Sequence, residues 1–174
     1  MFKRVFKPAL VTCLLVILGL ANGGVRTTRT PKADDALHID IPVKLAKATV
    51  VLNIDHLAFV GDMPIAIGHL GLLVNDFGQS NTKGQIIALF HTNAGHVTLN
   101  DKAYNAERKV TTGNPYKDLI ASLMKQGVQI ELCGATAKAH NWVSEDLLPG
   151  VKVDTDAMIR LTELAQQGYA EIKE

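Results

Sequence analysis

Several features that would classify a protein quickly are scarce or missing here. There are two cysteines in 174 residues, too few to frame a disulfide scaffold of that size. The formal charge is +1 at pH 7, which argues against the clustered basic surface of a nucleic-acid binder. The longest apolar run falls short of the ~20 residues of a comfortable membrane span. Gly61, Gly68 and Gly71 do not form G-x-G-x-x-G, so no motif supports nucleotide binding. Paired zinc-ligand spacing is absent. So is a Ser-His-Asp signature, although a triad assembled from distant positions leaves none. Neither internal repeats nor low-complexity segments occur.

What remains is an ordinary globular composition, 47% apolar and 20% charged. The Val, Ile and Leu content excludes disorder as the main state. The length suits one domain with a full hydrophobic core.

Residues 1–24 carry a different message. Lys3, Arg4 and Lys7 precede an apolar run from Ala9 to Leu20, and small residues follow at Gly19, Ala21, Gly23 and Gly24. Positive, apolar and small, in that order, is the secretory signal pattern and predicts export to the periplasm, with cleavage after Ala21. The competing reading is an uncleaved anchor, the only membrane contact expected. Cys13 lies inside the apolar run after Val11-Thr12, which disfavours a lipoprotein. Cleavage leaves 15 basic against 17 acidic residues and a single cysteine, Cys133. Residues 25–47 read as a flexible lead-in, and 48–174 as one domain.

Within that domain apolar runs alternate in kind. Residues 48–54, 85–90 and 128–133 have the composition of buried strands, and 151–153 and 169–172 are shorter candidates. Asp62-Met63-Pro64 offers a helix start, followed by a stripe at Ile67, Leu70, Leu73, Val74 and Phe77. A short helix spans 99–108 with Asn100 as cap. Asn114-Pro115 reads as an N-cap and first helical residue, ahead of a face at Tyr116, Leu119, Ile120, Leu123 and Met124. Residues 134–141 are predicted helical. The last helix is capped by Asp154 or Thr155 and shows one face at Ala157, Leu161, Leu164 and Ala165. Such alternation predicts an α/β fold, three-layer α/β/α, with a mostly parallel sheet of about five strands. Chemistry then gathers at the carboxyl ends of the strands.

Cys133 lies at such an end, just before a predicted helix. Positive partial charge at a helix N-terminus stabilises a thiolate, and Gly134 permits close backbone approach. A nucleophilic sulfur fits this position. So does a buried, inert cysteine acting as a small hydrophobe.

The chain from Asn114 to Ile172 resembles the DsrE family of sulfur-relay proteins, with its TusD- and YchN-like members. The resemblance rests on Asn114-Pro115, on Gly127-Val128-Gln129-Ile130-Glu131-Leu132-Cys133-Gly134, on Leu147-Leu148-Pro149-Gly150-Val151-Lys152-Val153, and on Glu163-Leu164 and Gln167-Gly168-Tyr169-Ala170. It implies a three-layer α/β fold and homo-oligomers, trimers or hexamers. It also implies that Cys133 accepts sulfane sulfur as a persulfide and passes it on, between donor and acceptor proteins or small persulfides. No metal or organic cofactor is needed for sulfur-to-sulfur displacement. The well-known relay members are cytoplasmic, and this chain departs from them in its export signal. On the same fold, a non-catalytic oligomeric binding module with a structural Cys133 is the alternative.

Supporting candidates are His91 and His96 after the second main strand, for proton transfer or thiolate stabilisation, and His140, two helical turns beyond Cys133. Each also reads as a surface or loop-bonding histidine. Asp55-His56 is a loop with a possible place at the site. Trp142 is a packing anchor or an oligomer contact, and Met124 and Met158 are core or interface filler.

Overall fold

The chain runs β1 (Lys47–Ile54), β2 (Phe59–Val60), β3 (Met63–Pro64), α1 (Ile65–Ser80) and β4 (Lys83–Phe90). A 3₁₀-helix over Thr92–Thr98 and the helices α2 (Asp101–Arg108) and α3 (Lys117–Lys125) follow. Next come β5 (Gln129–Leu132), α4 (Gly134–Ala139), β6 (Lys152–Val153), α5 (Ala157–Gln166) and β7 (Ala170–Lys173). This computed structural model describes residues 37–174; the signal expected at 1–24, and the lead-in before residue 37, lie outside the described residues. Residues 37–46 are exposed, and one compact unit runs from Pro42 to Glu174. Among the described residues, no helix is long and apolar enough to cross a membrane.

Five strands form one sheet in the order β6-β5-β4-β1-β7, every neighbouring pair parallel. The central strands are buried on both faces, which is why their sequences are continuous apolar runs. Val50, Leu52, Ile54, Ile86, Ala88, Phe90 and Ile130 face Ala66, Ile67 and Leu70 of α1 and Ile120 and Leu123 of α3. Val51, Ile87, Leu89 and Cys133 face the other way, against Ala157, Leu161 and Leu164 of α5. The result is a three-layer α/β/α arrangement. Phe90 and Leu70 are fully buried; truncating Phe90 to Ala forfeits about 3–5 kcal/mol in transfer and cavity terms.

Helix α5 brings an ionic anchor to the second face. Arg160 grips the buried Glu131 of β5 with two hydrogen bonds, Nε to Oε2 at 2.9 Å and Nη2 to Oε1 at 2.7 Å. That fork fixes the helix over the sheet and so places its N-terminus.

Several boundaries differ from expectation. The helix start expected at Asp62-Met63-Pro64 is met at its last residue, Pro64, which is the N-cap of α1; Asp62 belongs instead with Gly61, at φ 60°, to the turn of the β2–β3 hairpin. The regular part of α3 begins at Lys117, two residues later than expected, but Asn114 still caps the turn that leads into it: its Oδ1 accepts from the Tyr116 N–H at 2.9 Å. Its buried side chain also donates through Nδ2 to the carbonyls of Val97 and Leu99, at 2.8 and 2.6 Å. Those carbonyls end the 3₁₀-helix with no regular ladder to satisfy them. Asp156, not Asp154 or Thr155, caps α5, accepting from the Ile159 N–H at 2.9 Å. Ala165 faces solvent rather than the core. The helix after Cys133 ends at Ala139, earlier than residue 141. Asn100 caps α2 as expected, accepting from the Ala103 N–H.

Candidate functional site

Sheet register assembles the site. Ile54 pairs with Phe90, and Phe90 with Leu132. The next residues on these three strands, Asp55, His91 and Cys133, therefore meet at the carboxyl edge. The ladder continues one step past the strands: the His91 N–H bonds the Ile54 carbonyl and the Cys133 N–H bonds the Phe90 carbonyl, both at 3.0 Å. On the other side of β1, Asn53 pairs with Lys173 of β7.

These ends open into a cavity of about 790 Å³ walled by Cys133, His91, Asn53, Asp55, Thr92 and Lys173, with Thr136, His140 and the N-terminal residues of α5 completing it. A cavity of similar size, about 810 Å³, lies at the amino end of the sheet; no Cys, His, Asp, Glu, Lys or Arg lines it. The chemistry-bearing side chains are at the carboxyl end, where open parallel sheets place their ligands.

Cys133 is a free thiol, 4% exposed, and it forms part of the cavity wall. Its Sγ accepts a hydrogen bond from the Ala157 N–H at 3.3 Å. Ala157 is the first residue of α5, so the sulfur meets one of the unpaired donors at a helix N-terminus, where partial positive charge favours an anion. A thiolate accepts such a bond more strongly than a thiol.

Gly134 is needed for packing. A Cβ there would lie 2.3 Å from the Asp154 carbonyl oxygen, so backbone from the β6–α5 connection passes directly over the start of α4. This approach sets the connection leading to Ala157 beside the cysteine. Asp154 is held in the same contact. Burial pushes its carboxyl up to about 6, its Oδ2 is buried without a hydrogen-bond partner, and the Gly134 N–H contacts Oδ1 at 3.4 Å.

The histidines separate. His91 shares the cavity with Cys133 and binds Asn53 Oδ1 through Nε2 at 2.7 Å. Burial holds its imidazole below the ordinary range. His140 reaches the cavity from the end of α4, stacks on Trp142 at 4.4 Å, and meets Glu107 at 3.1 Å. His96 is not brought to this cavity: its Nδ1 meets the Asn93 carbonyl at 2.7 Å and its ring leans on Tyr104. Burial also pushes His96 down. His91 precedes the 3₁₀-helix and His96 lies within its last turn, which directs the ring away from the cavity. Among the described residues, no three His, Cys, Asp or Glu side chains are grouped to hold a metal ion.

Sequence reasoning passed over Asn53, Thr92, Lys173 and the Ala157 N–H. Thr92 has φ 45°, an uncommon conformation for a β-branched residue. Its N–H is held by Thr136 Oγ1 at 2.9 Å, and its hydroxyl donates to the Asp55 carbonyl. Asp55 lines the cavity, its carboxyl lowered first by the hydrogen bond from His56 and further by Lys173, 3.7 Å away. Only Asp55 had a sequence signal, its position immediately after a strand.

Among solved structures, the chain is similar to a protein of unknown function, MTH1491, from Methanobacterium thermoautotrophicum. The two are 21% identical with a TM-score of 0.53, over 73% of this chain and 99% of that one. The ychN protein from E. coli is 20% identical with a TM-score of 0.48, over 72% of this chain and 96% of that one. The first likeness supports the fold alone. No curated protein matches the sequence. The family model for the DsrE/DsrF-like family matches residues 69–173, more than half of the chain and every strand of the sheet except β1. By that match, this chain belongs to the DsrE/DsrF-like family.

Proposed function

We propose that the protein is an exported, periplasmic sulfur carrier that receives sulfane sulfur on Cys133 as a persulfide and hands it on. The observation that carries this reading is the Cys133 sulfur in the wall of a large cavity, with the Ala157 N–H of α5 aimed at it. The reaction exchanges one sulfur–sulfur bond for another: Sγ attacks the outer sulfur of a donor persulfide, and the donor thiolate leaves with the electron pair of the broken bond. It needs a nucleophile, room for a donor and an environment that tolerates a thiolate. Cys133, the cavity it lines and the Ala157 N–H beside its sulfur support the reading on these three counts. Family membership supports the reading, and the signal-like residues 1–24 support the location. In this reading the mature protein assembles as a trimer or hexamer, and a mature protein that sediments as a monomer counts against that part.

The test is release of sulfane sulfur. Protein incubated with glutathione persulfide and desalted should yield about one thiocyanate per chain on treatment with cyanide, and the Cys133→Ser variant should yield none. Equal yields from both proteins would overturn the reading.

The low exposure of Cys133 favours a second reading, in which the cysteine is packing and the protein is an oligomeric binding module. That reading expects a native thiol inert to iodoacetamide and a Cys133→Ala variant with unchanged assembly.

A further inference from the structure

A chain of hydrogen bonds crosses three strands and ends on His91. Asn53 Nδ2 donates to Glu171 Oε1 of β7 at 2.6 Å, and Asn53 Oδ1 lies 2.7 Å from His91 Nε2. The chemistry of each partner fixes the next. A carboxylate only accepts, so the Asn53 amide must turn its NH2 toward Glu171. Its oxygen therefore faces His91, and Nε2 must carry the hydrogen. A neutral imidazole has one N–H, so Nδ1 is left with a free lone pair. Burial favours the neutral ring. Asn53 is itself 9% exposed, and its carbonyl is bound by the Glu174 N–H at 2.9 Å. Among the described residues, His91 Nδ1 has no hydrogen-bond partner. His91 and Cys133 follow paired residues on neighbouring strands, which run ~4.8 Å apart; both keep extended backbone and both line the cavity.

We propose that His91 is the proton carrier for Cys133, with Asn53 and Glu171 as positioning residues that keep Nδ1 open. This rests on the sulfur-carrier reading. The Cys133 thiol gives its proton to His91 Nδ1. The thiolate forms a bond to the outer sulfur of R–S–SH, the donor S–S bond breaks, and R–S⁻ leaves with its electron pair. Protonated His91 then returns the proton to R–S⁻, giving R–SH and Cys133–S–SH. Sulfur moves without net oxidation or reduction. Asp55 at the end of β1, Lys173 and Glu171 on β7, His140 after α4 and Asp156 at the cap of α5 are the other charged or titratable groups around the cavity. Asp55 and Lys173 act on the imidazole in opposite directions, the first favouring and the second opposing its protonated form.

The test separates the proton role from sulfur transfer by using iodoacetamide, which needs only a thiolate. Alkylation of Cys133 is followed from pH 5 to 9 in the full-length protein and in His91→Gln, Glu171→Gln and His91→Ala. His91→Gln keeps a donor for Asn53 and should slow alkylation at pH 7 about tenfold or more, removing one inflection from the profile. Glu171→Gln, on an edge strand, should slow it by about two- to fivefold. Added imidazole should restore much of the rate to His91→Ala and leave the unsubstituted protein unchanged. Nitrogen-15 spectra of the imidazole should show the Nε2–H tautomer at neutral pH, and a more mixed population in Glu171→Gln. Equal rates and profiles with and without His91, or an Nδ1–H tautomer, would overturn the proposal even if the protein loads sulfur. Alkylation that depends on His91 in a protein that never loads sulfur would overturn the sulfur-carrier reading and leave the proton role standing.

Discussion

The backbone N–H of Ala157 points at the sulfur of Cys133 from 3.3 Å. The two residues are far apart in sequence, and three separate features bring them together. The β4–β5 register sets the cysteine at the sheet edge. The close pass of Asp154 over Gly134 sets the connection into α5. The Arg160–Glu131 fork sets the helix.

Replacing Ala157 by proline removes that donor while keeping a residue suited to the first position of a helix. A hydrogen bond to a charged group contributes about 1.5–3 kcal/mol. Ala157→Pro should therefore slow iodoacetamide alkylation of Cys133 at pH 7 about tenfold or more, with helical circular dichroism retained. An unchanged rate in a folded variant would mean that the α5 terminus does not activate the sulfur.

Gly134→Ala should be strongly destabilising, by about 2–4 kcal/mol, because the new methyl meets the Asp154 carbonyl and backbone must move. Gly71→Ala is the matched control. It lies within α1 with open space at its Cβ position, and should be stabilising by up to about 1 kcal/mol from helix propensity. Urea unfolding of the two variants beside the parent measures both.

Asp154→Asn should stabilise the protein in a pH-dependent way. The folded carboxyl titrates near 6, above its ordinary value of 3.8. The folded state thus holds the proton more tightly than the unfolded chain. Its stability is undiminished below about pH 4, falls as pH rises toward 6, and stays reduced above that. One pKa unit corresponds to ~1.4 kcal/mol, but solvent reaches this partly buried side chain and screens it, so about 1 kcal/mol is expected. Urea midpoints of parent and variant should agree near pH 4 and separate by pH 7.5. A variant less stable than the parent at pH 7.5 would contradict this account of Asp154.

Arg160→Met removes the partner of a carboxylate that is 3% exposed. An uncompensated buried charge costs about 3–5 kcal/mol, and α5 also loses its tether. Thermal unfolding should show a large loss, and changing Glu131 to Gln in the same chain should recover part of it.

The sheet was legible because its central strands carry β-branched apolar runs at βαβ spacing, and the helices because their stripes recur every three or four residues. Cys133, His91 and the Gly134 close approach were legible for the same reason: strand ends and a glycine leave local marks. Asn53, Lys173 and the Ala157 N–H left none, because each reaches the cavity through the pairing of distant strands or the docking of a helix. Asn114 was half legible: Asn-Pro marks the turn into α3 that its Oδ1 caps, but only the tertiary structure reveals the orphan carbonyls of Val97 and Leu99 that its Nδ2 serves. Asp154 and Asp156 compete for one cap two residues apart, and sequence does not show that burial of Asp154 against Gly134 leaves the cap to Asp156. His96 and His91 look equivalent in the chain until the 3₁₀-helix that starts after His91 carries His96 aside.

The central claim is that Cys133 carries sulfur, and intact mass measures it most directly. Protein purified from the exported fraction is weighed before and after exposure to glutathione persulfide, alongside Cys133→Ser. The account predicts a starting mass lacking the first 21 residues, a gain of one sulfur atom on loading, loss of that sulfur on reduction, and no gain in Cys133→Ser. A parent protein that gains nothing, or a Cys133→Ser variant that gains as much as the parent, would contradict it.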